Sequence, residues 1–130
     1  MIPATALRIG NIVHAKDLDG NLKYIRVEEI KRKNGVYVFI DQDGIGYLEK
    51  AVKGVELNAE ILEKAGFINE YTVEYRIAVD LPNVEFTGSL QVLDNNKVFW
   101  IKNFKIQAQY LHQLQNLYWI LTGEELKIEL

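Results

Sequence analysis

The sequence predicts an α+β fold, with short antiparallel strands gathered in runs and two helices standing apart from them. Three observations carry this. In the first half, Asp19–Gly20, Asn34–Gly35 and Asp43–Gly44 separate short β-rich runs. In the middle, apolar and polar residues alternate from Tyr71 to Val92. Near the end, Tyr110–Leu121 places Leu111, Leu114, Leu117, Tyr118 and Leu121 on one side at about 100° per residue, the period of an α-helix.

Taken in order, Gly10–Ala15 reads as a first strand. Asn34–Gly35 joins Lys23–Lys31 to Val36–Ile40, because a two-residue type I′ turn needs positive φ at both central positions. Gly46–Glu49 reads as a fourth, shorter strand. Four or five short strands within about fifty residues predict a small bent sheet or SH3-like barrel. Asn58 then caps a short helix, since its side-chain oxygen can accept from the free N–H groups of the first turn. Ile61, Leu62 and Ala65 form its apolar stripe. Gly66 supplies the left-handed residue that ends it, and Phe67 packs back on the last turn.

The alternation of Tyr71, Val73, Tyr75, Ile77 and Val79 with polar neighbours continues after Leu81–Pro82–Asn83 in Val84, Phe86, Leu90 and Val92. It predicts an antiparallel hairpin with one buried face. Gly88 marks a bulge or a close approach. Asp94–Asn95–Asn96 turns the chain into Val98–Ile101, and a phase slip near Asn103 predicts a β-bulge before Phe104 and Ile106. The helix Tyr110–Leu121 follows and stops at Gly123. Leu126, Ile128 and Leu130 alternate as a last strand. The whole reads as one domain over residues 1–130, with a small β-barrel in 1–56. An α+β part in 57–130 holds a three-stranded antiparallel sheet, a packed helix and the terminal strand.

Composition narrows the function. The chain has 130 residues, 48% apolar and 25% charged, which is ordinary for a globular protein. With no cysteine, disulfide scaffolds, thiolate metal sites and cysteine nucleophiles are excluded. Residues Met1–Ala6 lack the pattern of a signal peptide, and no window approaches the ~18 apolar residues of a membrane span. A cytoplasmic protein without membrane partners is expected. Residues 1–54 hold nine Lys/Arg and seven Asp/Glu, whereas 55–130 hold six and eleven. The acidic second part argues against nucleic acid as the main partner of the whole chain.

No residue set points to a reaction. His14 and His112 are the only histidines and have no metal-ligand spacing. His14 reads as a strand residue at a sheet surface. A catalytic base would need a nucleophile and an orienting group that no local motif supplies, so no catalytic residue, metal ligand or cofactor is expected. Asp17–Leu18–Asp19–Gly20–Asn21 resembles the start of a calcium loop, with Glu28 at the twelfth position. Leu22 stands where the loop requires glycine, so a hairpin turn is the expectation. Gly44-x-Gly46 lacks the further glycine and helix start of a phosphate-binding loop.

Two surfaces remain. Lys31, Arg32 and Lys33, with Lys23 and Arg26 in the same strand region and Tyr24 and Tyr37 on adjacent strands, form a basic hairpin suited to phosphates and bases. Glu28 and Glu29 dilute it. His112, Gln115, Asn116 and Trp119 share the side of the last helix opposite the leucines, and an aromatic among amides suits recognition of a partner. The competing reading is that the helix is covered on both sides by the protein itself.

Leu7–Arg8–Ile9–Gly10–Asn11, Glu60–Ile61–Leu62–Glu63–Lys64–Ala65–Gly66–Phe67, His112–Gln113–Leu114–Gln115–Asn116–Leu117–Tyr118 and Leu121–Thr122–Gly123–Glu124–Glu125–Leu126 together form a pattern. It resembles small uncharacterised proteins of gut Bacteroides-type bacteria and their phages or mobile elements, along the whole chain and most specifically in the final block. The resemblance implies a bacterial or phage cytoplasmic setting and an accessory role, and carries over no catalytic or binding residue. The expected function is a non-enzymatic binding or assembly module that contacts a protein or a second copy of itself. A nucleic-acid-binding module is the alternative, and an enzyme whose site forms only in three dimensions is the third.

Overall fold

The computed structural model describes residues 2–71, 74–81, 84–93, 96–101 and 104–130, with side chains described outside 69–107. The chain divides into two compact units, Met1–Val55 and Glu56–Leu130. The α+β class holds: both helices stand outside antiparallel sheets.

The first unit has six strands: β1 (Ile12–Lys16), β2 (Leu22–Arg26), β3 (Glu29–Lys33), β4 (Val36–Ile40), β5 (Gly46–Leu48) and β6 (Val52–Lys53). They form two three-stranded antiparallel sheets in the orders β2-β1-β6 and β3-β4-β5. The expected run Lys23–Lys31 is therefore two strands. At its break the backbone changes partner. Val27 N–H donates to Asn11 and receives Gly10 N–H on its carbonyl, whereas Glu28 N–H donates to Ile40 in the other sheet. Among the described residues no sheet closes on itself, so the strands are an open pair of sheets with a shared core. Val13, Ala15, Ile25 and Val52 from one sheet and Phe39 and Tyr47 from the other meet in a single buried cluster.

Asn34–Gly35 behaves as its chemistry requires. Asn34 has φ 53° and Gly35 φ 78°, and Lys33 pairs with Val36 across a two-residue turn. The other two Asp–Gly pairs share a second device. In Asp17–Leu18–Asp19–Gly20 and Asp41–Gln42–Asp43–Gly44, the first aspartate accepts from the backbone N–H two and four residues on. The distances are 2.9 and 2.9 Å for Asp17, and 2.8 and 3.0 Å for Asp41. The glycines sit at φ 82° and 79°, where a Cβ would be strained. The segment resembling a calcium loop is thus a turn linking β1 to β2, and its copy links β4 to β5.

The second unit opens with α1 (Ala59–Lys64). Asn58 Oδ1 accepts from Ile61 N–H at 2.9 Å, as the cap demands. At the other end Phe67 N–H donates to Leu62 and Gly66 N–H to Glu63, with Gly66 at φ 90°. This paired closure satisfies the last carbonyls and buries Phe67. Five strands follow: β7 (Ile68–Tyr71), β8 (Glu74–Leu81), β9 (Val84–Leu93), β10 (Asn96–Ile101) and β11 (Phe104–Gln107). They form one antiparallel sheet in the order β11-β10-β9-β8-β7. The hairpin expected over Tyr71–Val92 is its β8–β9 core, in register from Glu74↔Gln91 to Leu81↔Val84.

Three details differ from expectation. The sheet gains one strand over the expected three because the first alternating run folds back, with Tyr71 pairing with Glu74 while residues 72–73 lie outside the described set, and a second strand in β11. Of the two readings of Gly88 the bulge does not hold, since Gly88 pairs regularly with Ile77 and with Ile101; among the described residues the register shift of this sheet falls between Asn69 and Tyr71. The phase slip is a change of strand, since Ile101 pairs with Phe104; Asn103 itself lies outside the described residues. The helix α2 (Leu111–Thr122) closes the order, ending at Gly123 with φ 72°. The segment before α1 pairs with the segment before α2 through Glu56↔Tyr110, and Leu57 N–H donates to Gln109. Residues 125–130 form no strand. Their alternation is real as burial, with Leu126 and Ile128 buried and Leu130 exposed. Among the described residues, no helix is long and apolar enough to cross a membrane.

Candidate functional site

The α2 helix is set by local hydrogen bonds at both ends. Gln113 Oε1 accepts from Gln109 and Tyr110 N–H, at 2.9 and 3.1 Å, which satisfies donors that the first turn leaves open. Thr122 Oγ1 donates to the Tyr118 carbonyl at 2.8 Å, next to the left-handed Gly123. Between these ends the face carrying the candidate residues changes character. His112 is 4% exposed and Gln115 is fully buried; Asn116 is half-buried and Trp119 is 42% exposed. Leu111 and Leu114, on the other side, are buried as well. In the first turns Leu111, His112, Leu114 and Gln115 are buried while Gln113 is exposed, and in the last turns Ile120 stands 76% exposed beside Trp119. The set of four therefore divides into a buried pair and an outward end.

His112 has an uncommon environment. Its ring stacks on Tyr110 with centroids 5.7 Å apart, and its Nδ1 has no hydrogen-bond partner among the described residues. Burial disfavours the charged imidazolium and pushes the pKa down to about 4. His112 is therefore neutral at pH 7. His14 lies half-buried on β1, stacked on Tyr24 at 4.6 Å, and burial lowers its pKa too. Among the described residues, no group of three or more His, Asp or Glu could hold a metal ion.

The basic residues do not act as one patch. Lys23 and Arg26 lie on β2, whereas Lys31, Arg32 and Lys33 lie on β3 in the other sheet. Lys31, Arg32 and Lys33 are exposed beside the Asn34–Gly35 turn. Lys31 is paired with Glu29 at 3.5 Å, and the Arg32 guanidinium lies 5.6 Å from the Tyr37 ring centre. Arg26 is tied in through its backbone, whose N–H donates to Gln42 Oε1 at 3.0 Å. Lys23 is drawn elsewhere, with Nζ 5.7 Å from the Tyr47 ring centre. The Tyr47 hydroxyl is the main influence raising the pKa of this ammonium; Asp41 and Asp43 act in the same direction.

Lys23 and Tyr47 also line a cleft in the first unit that the sequence did not reveal. Its volume is about 450 Å³, and its walls come from the end of β1, the β1–β2 turn, β2, Ile45 of the β4–β5 turn, β5 and the residues after β5. The only sequence signal was the repeated Asp-x-Asp-Gly turn. Which open side chains those two turns bring to one cleft depends on how the sheets fold over their core. No family model matches the chain, and no curated protein or solved structure is significantly similar to it.

Proposed function

We propose that the chain is a non-enzymatic binding or assembly module whose contact surface is the carboxyl-terminal end of α2. The observation that supports this is the exposure of Trp119 and Ile120, 42% and 76%, on consecutive positions of a well-capped helix. Large apolar side chains held on a rigid element serve as anchors for a protein partner, because each gains much burial for little lost freedom. Gln115 and His112, buried one and two turns earlier on the same face, fix the helix rather than contact the partner. The partner is another protein or a second copy of this chain, and two-fold pairing is the commonest form of self-association. An accessory role in a bacterial, phage or mobile-element setting is supported by the sequence resemblance alone.

The test is the solution mass and partner capture of wild type beside Trp119→Ala. Wild type should dimerise or retain a specific partner, and the variant should lose it while remaining folded. A wild-type monomer that captures nothing overturns the reading.

A second reading is nucleic-acid binding through the β3–β4 hairpin, supported by three exposed cations beside a rigid turn. Fluorescence anisotropy with single- and double-stranded oligonucleotides at two salt concentrations decides it. Phosphate contacts require binding that weakens steeply with salt; no binding at low salt removes this reading.

A further inference from the structure

The cleft of the first unit combines two features that rarely coincide on an inert surface. Leu18 is fully exposed, Ile45 is 47% and Leu48 42% exposed, yet all three line one concavity. Exposed apolar side chains cost little when scattered, but a concave cluster favours an apolar occupant. The volume of about 450 Å³ falls in the range of small-molecule sites, roughly 300–1,000 Å³. Tyr47, 7% exposed and held by Asp41, gives the cleft a fixed wall.

The polar lining is biased toward cations. Lys16, Lys23 and Lys50 stand against Asp17 and Asp19. The Asp17 carboxylate is already engaged by two backbone N–H groups of its turn. Lys23 is held near Tyr47. Lys16 and Lys50 are exposed, and among the described residues no ion pair engages either of them. A ligand with an apolar body and one negative head would cover the exposed Leu and Ile side chains and meet these ammonium groups. A neutral apolar molecule would leave them unused, and a cation would be repelled.

We propose that this cleft binds a small amphipathic carboxylate, its chain against Leu18, Ile45 and Leu48 and its carboxylate between Lys16 and Lys50. The proposal is independent of the α2 surface. Its test uses octanoate as the probe on the full chain, followed by amide chemical shifts, with octanol and octylammonium as charge controls. Octanoate should saturate a single site, with shifts concentrated in Lys16–Leu18 and Ile45–Ala51. Octanol should bind more weakly and octylammonium weakest. The double change Lys16→Glu and Lys50→Glu, at two exposed positions, should weaken octanoate by about ten-fold or more, the scale of two screened charge contacts reversed. Leu18→Ser should weaken octanoate and octanol alike. Equal affinity for the three probes, insensitivity to the charge reversal, or shifts centred elsewhere would each overturn the proposal. So would light scattering that shows a dimer joined through these same amides in the absence of probe.

Discussion

The Tyr47 hydroxyl donates to the buried carboxylate of Asp41 across 3.2 Å, and the other oxygen of that carboxylate closes the β4–β5 turn. One side chain thus ties a hairpin loop to the core, because Tyr47 belongs to the buried cluster of the first unit. Asp17 makes the same turn contacts without a tyrosine and with greater exposure.

The asymmetry between the two aspartates predicts a ranking. Asp41→Ala strands two part-buried backbone donors and the buried tyrosine hydroxyl and should cost about 2–4 kcal/mol. Tyr47→Phe removes one hydrogen bond and should cost about 1 kcal/mol. Asp17→Ala, in a solvated turn, should cost about 1 kcal/mol or less. Urea denaturation of the three variants checks the order, and an Asp17→Ala cost equal to that of Asp41→Ala would refute it.

Asn58→Ala removes the oxygen that accepts from Ile61 N–H and should destabilise by about 1 kcal/mol. Asn58→Ser or Asn58→Asp keeps an acceptor at the cap and should stay within a few tenths of a kcal/mol of wild type. Denaturation midpoints of all three separate loss of the cap from loss of the side chain.

Leu114 is 1% exposed and Trp119 42% exposed on the same helix. Leu114→Ala should therefore cost about 2–5 kcal/mol through lost burial and the cavity left behind. Trp119→Ala should cost clearly less, about 1 kcal/mol, because much of its surface stays in water. Thermal or urea unfolding of the two proteins side by side gives the comparison. A Trp119→Ala cost as large as that of Leu114→Ala would make Trp119 a core residue and remove the contact surface proposed for α2.

Protonation of His112 supplies a pH dependence of defined sign. Its pKa falls from the ordinary 6.5 to about 4 on folding, so between these values the unfolded chain binds the extra proton. Stability is then full above about pH 6.5 and declines as pH falls toward 4, by up to about 3 kcal/mol for this group. His14, also lowered by burial, adds in the same direction. Urea unfolding from pH 7.5 to 4.5 should show a smaller decline for His112→Gln than for wild type. Parallel declines would show that His112 titrates normally in the fold.

Much of the architecture was legible because its signals are local. Asn34–Gly35, the Asn58 cap, the Gly66 and Gly123 helix stops and the pairing of β8 with β9 depend on φ preferences, free N–H groups and period-two alternation of residue types, all written in a few adjacent residues; which face of that hairpin is buried lies outside the described side chains. The break at Val27–Glu28 was not, because it arises from a change of hydrogen-bonding partner between Asn11 and Ile40, both distant in sequence. The terminal Leu126–Ile128–Leu130 alternation predicted a strand for a related reason. Period-two burial needs only a surface to pack on, whereas a strand needs a neighbour with free backbone groups.

The candidate surfaces divide the same way. Helical period alone put His112, Gln115, Asn116 and Trp119 on one side of α2, and the structure keeps them there. Only tertiary packing decided that His112 and Gln115 are buried and Trp119 is not. Nearness within one expected strand grouped Lys23 and Arg26 with Lys31, Arg32 and Lys33, but the strand break sent them to different sheets and brought Lys23 to Tyr47. The sequence by itself determined the two α-helices, the helix caps, the tight turns and the absence of thiol chemistry, but not every strand. The tertiary structure decided which polar residues lost their water and which apolar ones kept it. Burial depends on residues far apart in the chain, and no local pattern encodes it.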